Sequence, residues 1–162
     1  LDDVIASAQN VVNRTKSICV GLEPCVIPAL GHSNFKIEDG TMEFGVGHHG
    51  EAGTKVEKLK SASEMAQEMA ETILNDFDFE EGKEVAVMLS SLGATPVMEL
   101  YVLYDEVEKV LAKAGHKVWK TYIGNYVTSL DMNGASLTIV DLDDEIKELL
   151  SEPAVPIGMK NY

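Results

Sequence analysis

Apolar residues recur along this chain with two different periods, and the changes of period divide it into alternating helices and strands. Val4, Ile5, Ala8, Val11 and Val12 keep helical spacing, so an amphipathic helix is expected to open the chain and enter a strand near 17–20. Pro24, Pro28 and Gly31 then interrupt regular structure. Residues 42–47 read as a strand running into a glycine-rich loop that reaches Gly53. Ser61 followed by Glu64 has the form of a capping box, and Met65, Ala66, Met69, Ala70, Ile73 and Leu74 make the apolar stripe behind it.

Residues 84–89 read as a short buried strand and 90–94 as the loop after it. Thr95 as N-cap, with Pro96 at the first helical position, opens a second long helix. Leu100, Leu103, Val107, Val110 and Leu111 hold its period until Gly115 stops it. Residues 117–123 and 136–141 read as strands, the second arriving after the turn dipeptide Asn133-Gly134, and 143–150 as a short acidic helix ending before Pro153. Strands alternating with helices predict an α/β fold, a mixed β-sheet packed with helices, over a single domain spanning 1–162.

Composition narrows the class. A chain of 162 residues buries enough surface for one core without disulfide or metal staples. Its 27 acidic against 13 basic residues leave a formal charge of -14, which argues against nucleic acid or an anionic membrane surface as partner. The longest apolar runs, 85–89 and 100–104, are five residues, against the ~20 that span a bilayer. Cys19 and Cys25 lack a CxxC spacing and read as reduced thiols of a cytoplasmic protein. The opening Leu1-Asp2-Asp3 without methionine suggests a piece of a longer polypeptide.

Three segments carry candidate chemistry. Gly45-Val46-Gly47-His48-His49-Gly50 matches GxGxxG after a strand, but a dinucleotide fingerprint needs a helix to begin at the third glycine. Here the helix signal waits until Ser61, so the spacing does not support that reading. Adjacent His48 and His49 point to opposite faces of an extended chain and are not arranged to chelate one metal, so no metal is expected. Bare glycine backbone instead allows a small ligand to approach while one imidazole is aimed at it. An imidazole has a reference pKa near ~6.5 and is largely neutral at neutral pH, free to act as base or nucleophile. Residues 90–96 offer backbone N–H groups to an anion, although capping and a tight turn explain them as well. Residues 126–134 read only as a polar connection.

Taken together, the segments resemble one family. Met42-Glu43-Phe44-Gly45-Val46-Gly47-His48-His49-Gly50-Glu51 is similar to the "EFGxGxHGEPG" segment of the dihydroxyacetone-binding subunit of dihydroxyacetone kinase. Leu92-Gly93-Ala94-Thr95-Pro96, with Glu99-Leu100-Tyr101, resembles its "LGATPxxELY" motif. Gly124-Asn125-Tyr126-Val127-Thr128-Ser129-Leu130-Asp131-Met132 resembles "GxYxTSLDM", and Cys25-Val26-Ile27-Pro28 fits "CTVP".

The resemblance implies the carboxy-terminal half of that subunit, with an amino-terminal domain preceding it and absent here. It implies that His49 attacks the ketone carbon of dihydroxyacetone and holds it as a hemiaminal, with Gly47, Gly50 and Glu51 supporting the loop. Two positions depart from the family pattern: Ala52 replaces a proline, and His48 replaces what is usually an aliphatic residue. The remaining substrate contacts, including a base, are expected from the amino-terminal domain. No cofactor is expected on this chain. ATP or ADP belongs on a separate subunit or fused domain, and the phosphate comes from ATP or a phosphotransferase-system relay. Expected partners are dihydroxyacetone, the amino-terminal domain, the nucleotide-bearing subunit and a second copy of the chain as a homodimer. An alternative within the resemblance is a dihydroxyacetone-sensing transcriptional coactivator that carries out no phosphotransfer.

Overall fold

The computed structural model describes residues 1–33, 35–49, 51–76, 82–159 and 161. Helix α1 (Asp2–Asn13) leads into strand β1 (Thr15–Glu23), followed by β2 (Thr41–Phe44), β3 (Lys55–Lys58) and helix α2 (Ala62–Asn75). Strand β4 (Glu84–Ser91), helix α3 (Val97–Lys113), strands β5 (Lys117–Gly124) and β6 (Asn133–Asp141) and helix α4 (Asp144–Ser151) complete the order. The strands form one mixed sheet, β3-β2-β1-β6-β4-β5, in which β4 and β5 are parallel and every other neighbour antiparallel. Parallel neighbours need a long crossover, which α3 supplies. This is the α/β architecture that the alternating pattern predicts.

Strand alternation sorts the two faces. Val85, Val87 and Leu89 of β4 and Ala135, Leu137 and Ile139 of β6 bury themselves against Met65, Met69 and Ile73 of α2 and Leu100, Val107 and Leu111 of α3. Each of these side chains larger than alanine contributes about 1.5–3 kcal/mol relative to an exposed one. The intervening Ala86 and Val140 face the other way, with Leu142, Ile146 of α4 and the partly buried Val11 of α1. Farther along that second face, Cys19 joins Cys25, Val46, Leu92 and Met132 in a small separate cluster. The candidate loops lie over this cluster. Among the described residues, no helix is long and apolar enough to cross a membrane.

The capping box holds: the Ser61 hydroxyl accepts from the Glu64 N–H, and the Glu64 carboxylate accepts from the Ser61 N–H. Gly115 ends α3, its N–H on the Ala112 carbonyl and the next N–H, of His116, on that of Leu111. Asp143 caps α4 through the Ile146 N–H.

Four expectations are corrected. The pattern offers no element between Gly53 and Ser61, yet β3 lies there, pairing its backbone with β2 while its side chains stay largely exposed. A four-residue edge strand with a single apolar residue, the exposed Val56, carries no hydrophobic alternation. Ser90 and Ser91 belong to β4 instead of the following loop, because their backbones continue the pairing with Ser136 and Ala135 of β6; the Ser90 hydroxyl, buried, accepts the N–H groups of Tyr126 and Val127, each at 3.0 Å. Asn133 and Gly134 begin β6, opposite Glu23 and Gly21; the turn sits earlier, closed by the Met132 N–H on the Ser129 carbonyl at 3.0 Å. Thr95 does not cap α3, whose N-cap is Pro96 with no side-chain bond. Its buried hydroxyl instead accepts the Gly134 N–H at 2.8 Å and donates toward the Gly134 carbonyl.

Candidate functional site

The glycine-rich loop leaves β2 and is tied down at both ends. Gly45 donates its N–H to the Cys19 carbonyl at 2.7 Å, and Thr54 returns its N–H to the Phe44 carbonyl at 2.8 Å. Within the loop the Gly47 N–H bonds the Glu51 carbonyl at 2.9 Å. A Cβ on Gly47 would come within 2.1 Å of Glu51 Oε2, so the bare backbone is what lets that carboxylate fold back beneath the loop. The chain then enters β3, with no helix at the point where a dinucleotide fingerprint requires one. Gly50 lies outside the described residues.

The two histidines part company. His48 turns inward, with Nδ1 3.9 Å from Cys19 Sγ and Nε2 buried without a hydrogen-bond partner among the described residues. Burial pushes the Cys19 thiol up from its ordinary value, opposed by a hydrogen bond with Ser136, so the group stays a neutral thiol. The His49 side chain is 90% exposed, with Nδ1 3.5 Å from Glu51 Oε1. A cavity of about 240 Å³ opens beside the loop among Phe35, Lys36, Glu43, Val46, Glu51 and Ala52; neither histidine lines it.

The peptide joining His48 to His49 is gripped from both sides. Its carbonyl accepts the Ser129 hydroxyl at 2.8 Å, and its N–H donates to Glu51 Oε2 at 2.9 Å. Bonds from its own backbone N–H and from that of His49 hold the Glu51 carboxyl below the usual carboxylate range. A depressed value means that this contribution is complete above the unfolded carboxylate pKa of about 4.3 and fades as pH falls through the lower folded value. Acidification through that window is therefore expected to shift the His49 amide resonance, and Glu51→Gln to flatten the titration.

The other motif segments converge on the same place. Leu92 and Ala94 send their N–H groups to the carbonyls of Gly134 and Met132, and Gly93 sends its own to Ser91 Oγ at 2.9 Å. These three donors are spent internally and are not offered to an anion. Asp131 accepts the Val26 N–H at 2.7 Å, drawing in the Cys25 segment as well. Residues 126–134 are thus more than a connection: Ser129 reaches the histidine loop. Sequence reasoning gave Ser129 no role, because its partner lies 81 positions away and is a backbone carbonyl.

Residues 1–157 match the Dak1 domain, and the chain belongs to that family. It is 39% identical over 145 residues to the dihydroxyacetone-binding subunit DhaK of PTS-dependent dihydroxyacetone kinase 1 from Listeria innocua. That match covers 90% of this chain and 44% of the relative, so the chain spans less than half the relative's length. D-erythrulose kinase of Mycolicibacterium smegmatis is 36% identical over 150 residues, covering 93% of this chain and 26% of that enzyme. Among solved structures, the dihydroxyacetone kinase operon co-activator Dha-DhaQ superposes with TM-score 0.87 at 28% identity, over 94% of this chain and 48% of that one. The family resemblance carried by the motifs therefore holds.

Proposed function

We propose that this chain is the histidine-bearing part of a dihydroxyacetone-binding kinase subunit, and that His49 holds dihydroxyacetone as a covalent hemiaminal for phosphorylation to dihydroxyacetone phosphate. The observation that carries this reading is the gripped His48–His49 peptide, which presents an exposed imidazole on an ordered backbone. Glu51 beside Nδ1 favours the tautomer that keeps the proton there and leaves the Nε2 lone pair free. That lone pair forms a C–N bond to the carbonyl carbon, and the C=O π pair moves to oxygen. The oxygen gains a proton as the ring releases the one on Nδ1, so nothing leaves and the charges balance.

Such a bond selects ketones and aldehydes over glycerol, which has only hydroxyls to offer. The tether also places a terminal hydroxyl for phosphoryl transfer, a reaction that gains mostly from positioning. In this reading the donor is ATP or a phosphotransferase-system relay, with the nucleotide on a separate subunit or fused domain. The amino-terminal domain supplies the base, the subunit is a homodimer, and the setting is cytoplasmic. The test is carbon NMR of the full-length subunit with carbonyl-labelled dihydroxyacetone. The ketone resonance should convert to that of a tetrahedral carbon, and His49→Ala should abolish the conversion while His48→Ala preserves it. An unchanged ketone signal with the intact subunit would refute the covalent reading.

A second reading is favoured by the likeness to the operon co-activator: a sensor that binds dihydroxyacetone without passing on phosphate. Adduct formation without product, in the presence of the phosphoryl-donor subunit, would select it.

A further inference from the structure

The geometry points to Ser129 as a positioning residue for His49, acting through the peptide that joins His48 to it. The inference rests on the covalent role proposed for His49. Ser129 is buried, at 7% exposure, and each of its polar groups is committed. Its N–H donates to the Leu92 carbonyl at 2.7 Å, its carbonyl accepts the Met132 N–H at 3.0 Å, and its hydroxyl donates to the His48 carbonyl at 2.8 Å. The first two bonds lock the residue to the segment after β4 and to its own turn. The third is the only one of the three that reaches the histidine loop.

Position matters here because the His49 ring has so little else to hold it. Its side chain is 90% exposed, and the carboxylate beside it, Glu51, belongs to the same loop. The direction of the Cα–Cβ bond is therefore set by the backbone, and the plane of the 48–49 peptide fixes one side of that backbone. Glu51 grips the N–H edge of this plane from within the loop, whereas Ser129 grips the carbonyl edge from a turn anchored on the sheet. With Glu51 alone, loop and carboxylate can rotate together. Ser129 ties the plane to the rigid frame.

A hydroxyl bonded to a main-chain carbonyl serves whatever side chain stands at 48. The role therefore does not depend on the His48 ring or on its contact with Cys19. Displacing a nucleophile by about an ångström lowers its effectiveness about a hundredfold. Loss of the Ser129 hydroxyl should thus weaken the His49 adduct without removing any group that touches the substrate.

The experiment uses the full-length subunit and labelled dihydroxyacetone, with adduct occupancy followed by carbon NMR and the His49 amide resonance followed alongside. Ser129→Ala is expected to raise the concentration for half-occupancy about tenfold to a hundredfold and to shift the His49 amide. Ser129→Thr, which keeps the hydroxyl, should restore binding to within about threefold of the starting protein. If Ser129→Ala does not fold, Ser129→Cys, close in volume and a weak donor, provides the same reading. Half-occupancy unchanged in the alanine or cysteine variant overturns the inference, as does a threonine variant that folds normally but binds as weakly as alanine. Absence of an adduct in the unsubstituted subunit overturns the covalent role itself. Loss of the adduct in His49→Ala alone, with Ser129→Ala unaffected, leaves that role standing and removes Ser129 from it.

Discussion

Gly93→Ala is expected to cost about 3–5 kcal/mol of folding stability, a large share of the ~5–15 kcal/mol typical of a domain. A Cβ at this position would come within 2.0 Å of the Leu130 carbonyl oxygen and 3.0 Å of its carbon. Both atoms are backbone, so no rotamer change relieves the clash. Gly93 also sits at φ +140, which side chains rarely adopt, and Leu130 opposite it is itself held at φ 53. The turn carrying Ser129 must move outward for the methyl to fit, and the bond to His48 moves with it. Gly40→Ala is the control. Gly40 also has a positive φ, of +74, but has nothing within 4 Å, so its substitution pays backbone strain alone, about 1 kcal/mol. Urea unfolding of both variants checks the difference. Equal midpoints would mean that the close approach of the two segments contributes nothing.

That contact also shows what was legible in the sequence and what was not. The Ser61–Glu64 box joins residues three apart, so local spacing revealed the helix it starts, whereas Asp143, read as the first residue of the last helix, is its cap. The buried stripes of α2 and α3 repeat with the helix period and were equally visible. Thr95 and Ser129 behave differently. Their hydroxyls bond backbone groups 39 and 81 positions away, and such a bond leaves no periodic trace and demands no particular partner residue. By propensity alone Thr95 is a cap and Ser129 a turn residue; tertiary packing overrides both. β3 was hidden for a related reason, since a paired edge strand is stabilised through its backbone while its side chains remain in water. The motif likeness located the histidine loop and adjacency put the two imidazoles on opposite faces, but that His48 is the inward one and His49 the outward one appears only in three dimensions.

His49→Ala in the full-length subunit, supplied with its phosphoryl-donor subunit, is expected to lower formation of dihydroxyacetone phosphate by about three orders of magnitude or more, the scale of a lost covalent tether. Truncation at an exposed position removes no core contact, so the variant should unfold at nearly the same denaturant concentration as its parent. His48→Ala should behave in the opposite sense. It opens a void beside Cys19 and lowers stability, yet leaves the nucleophile and its Ser129 and Glu51 supports in place, so turnover should fall far less. This chain alone, mixed with the donor subunit, should form no product above background. In the proposed reading His49 is the nucleophile, its imidazole is 90% exposed, and the amino-terminal domain supplies the base and the wall that excludes water. Turnover by the isolated chain would place the reacting machinery on these residues and not on the remaining length of the relatives. Loss of activity in His48→Ala with activity retained in His49→Ala would reverse the assignment of the two imidazoles.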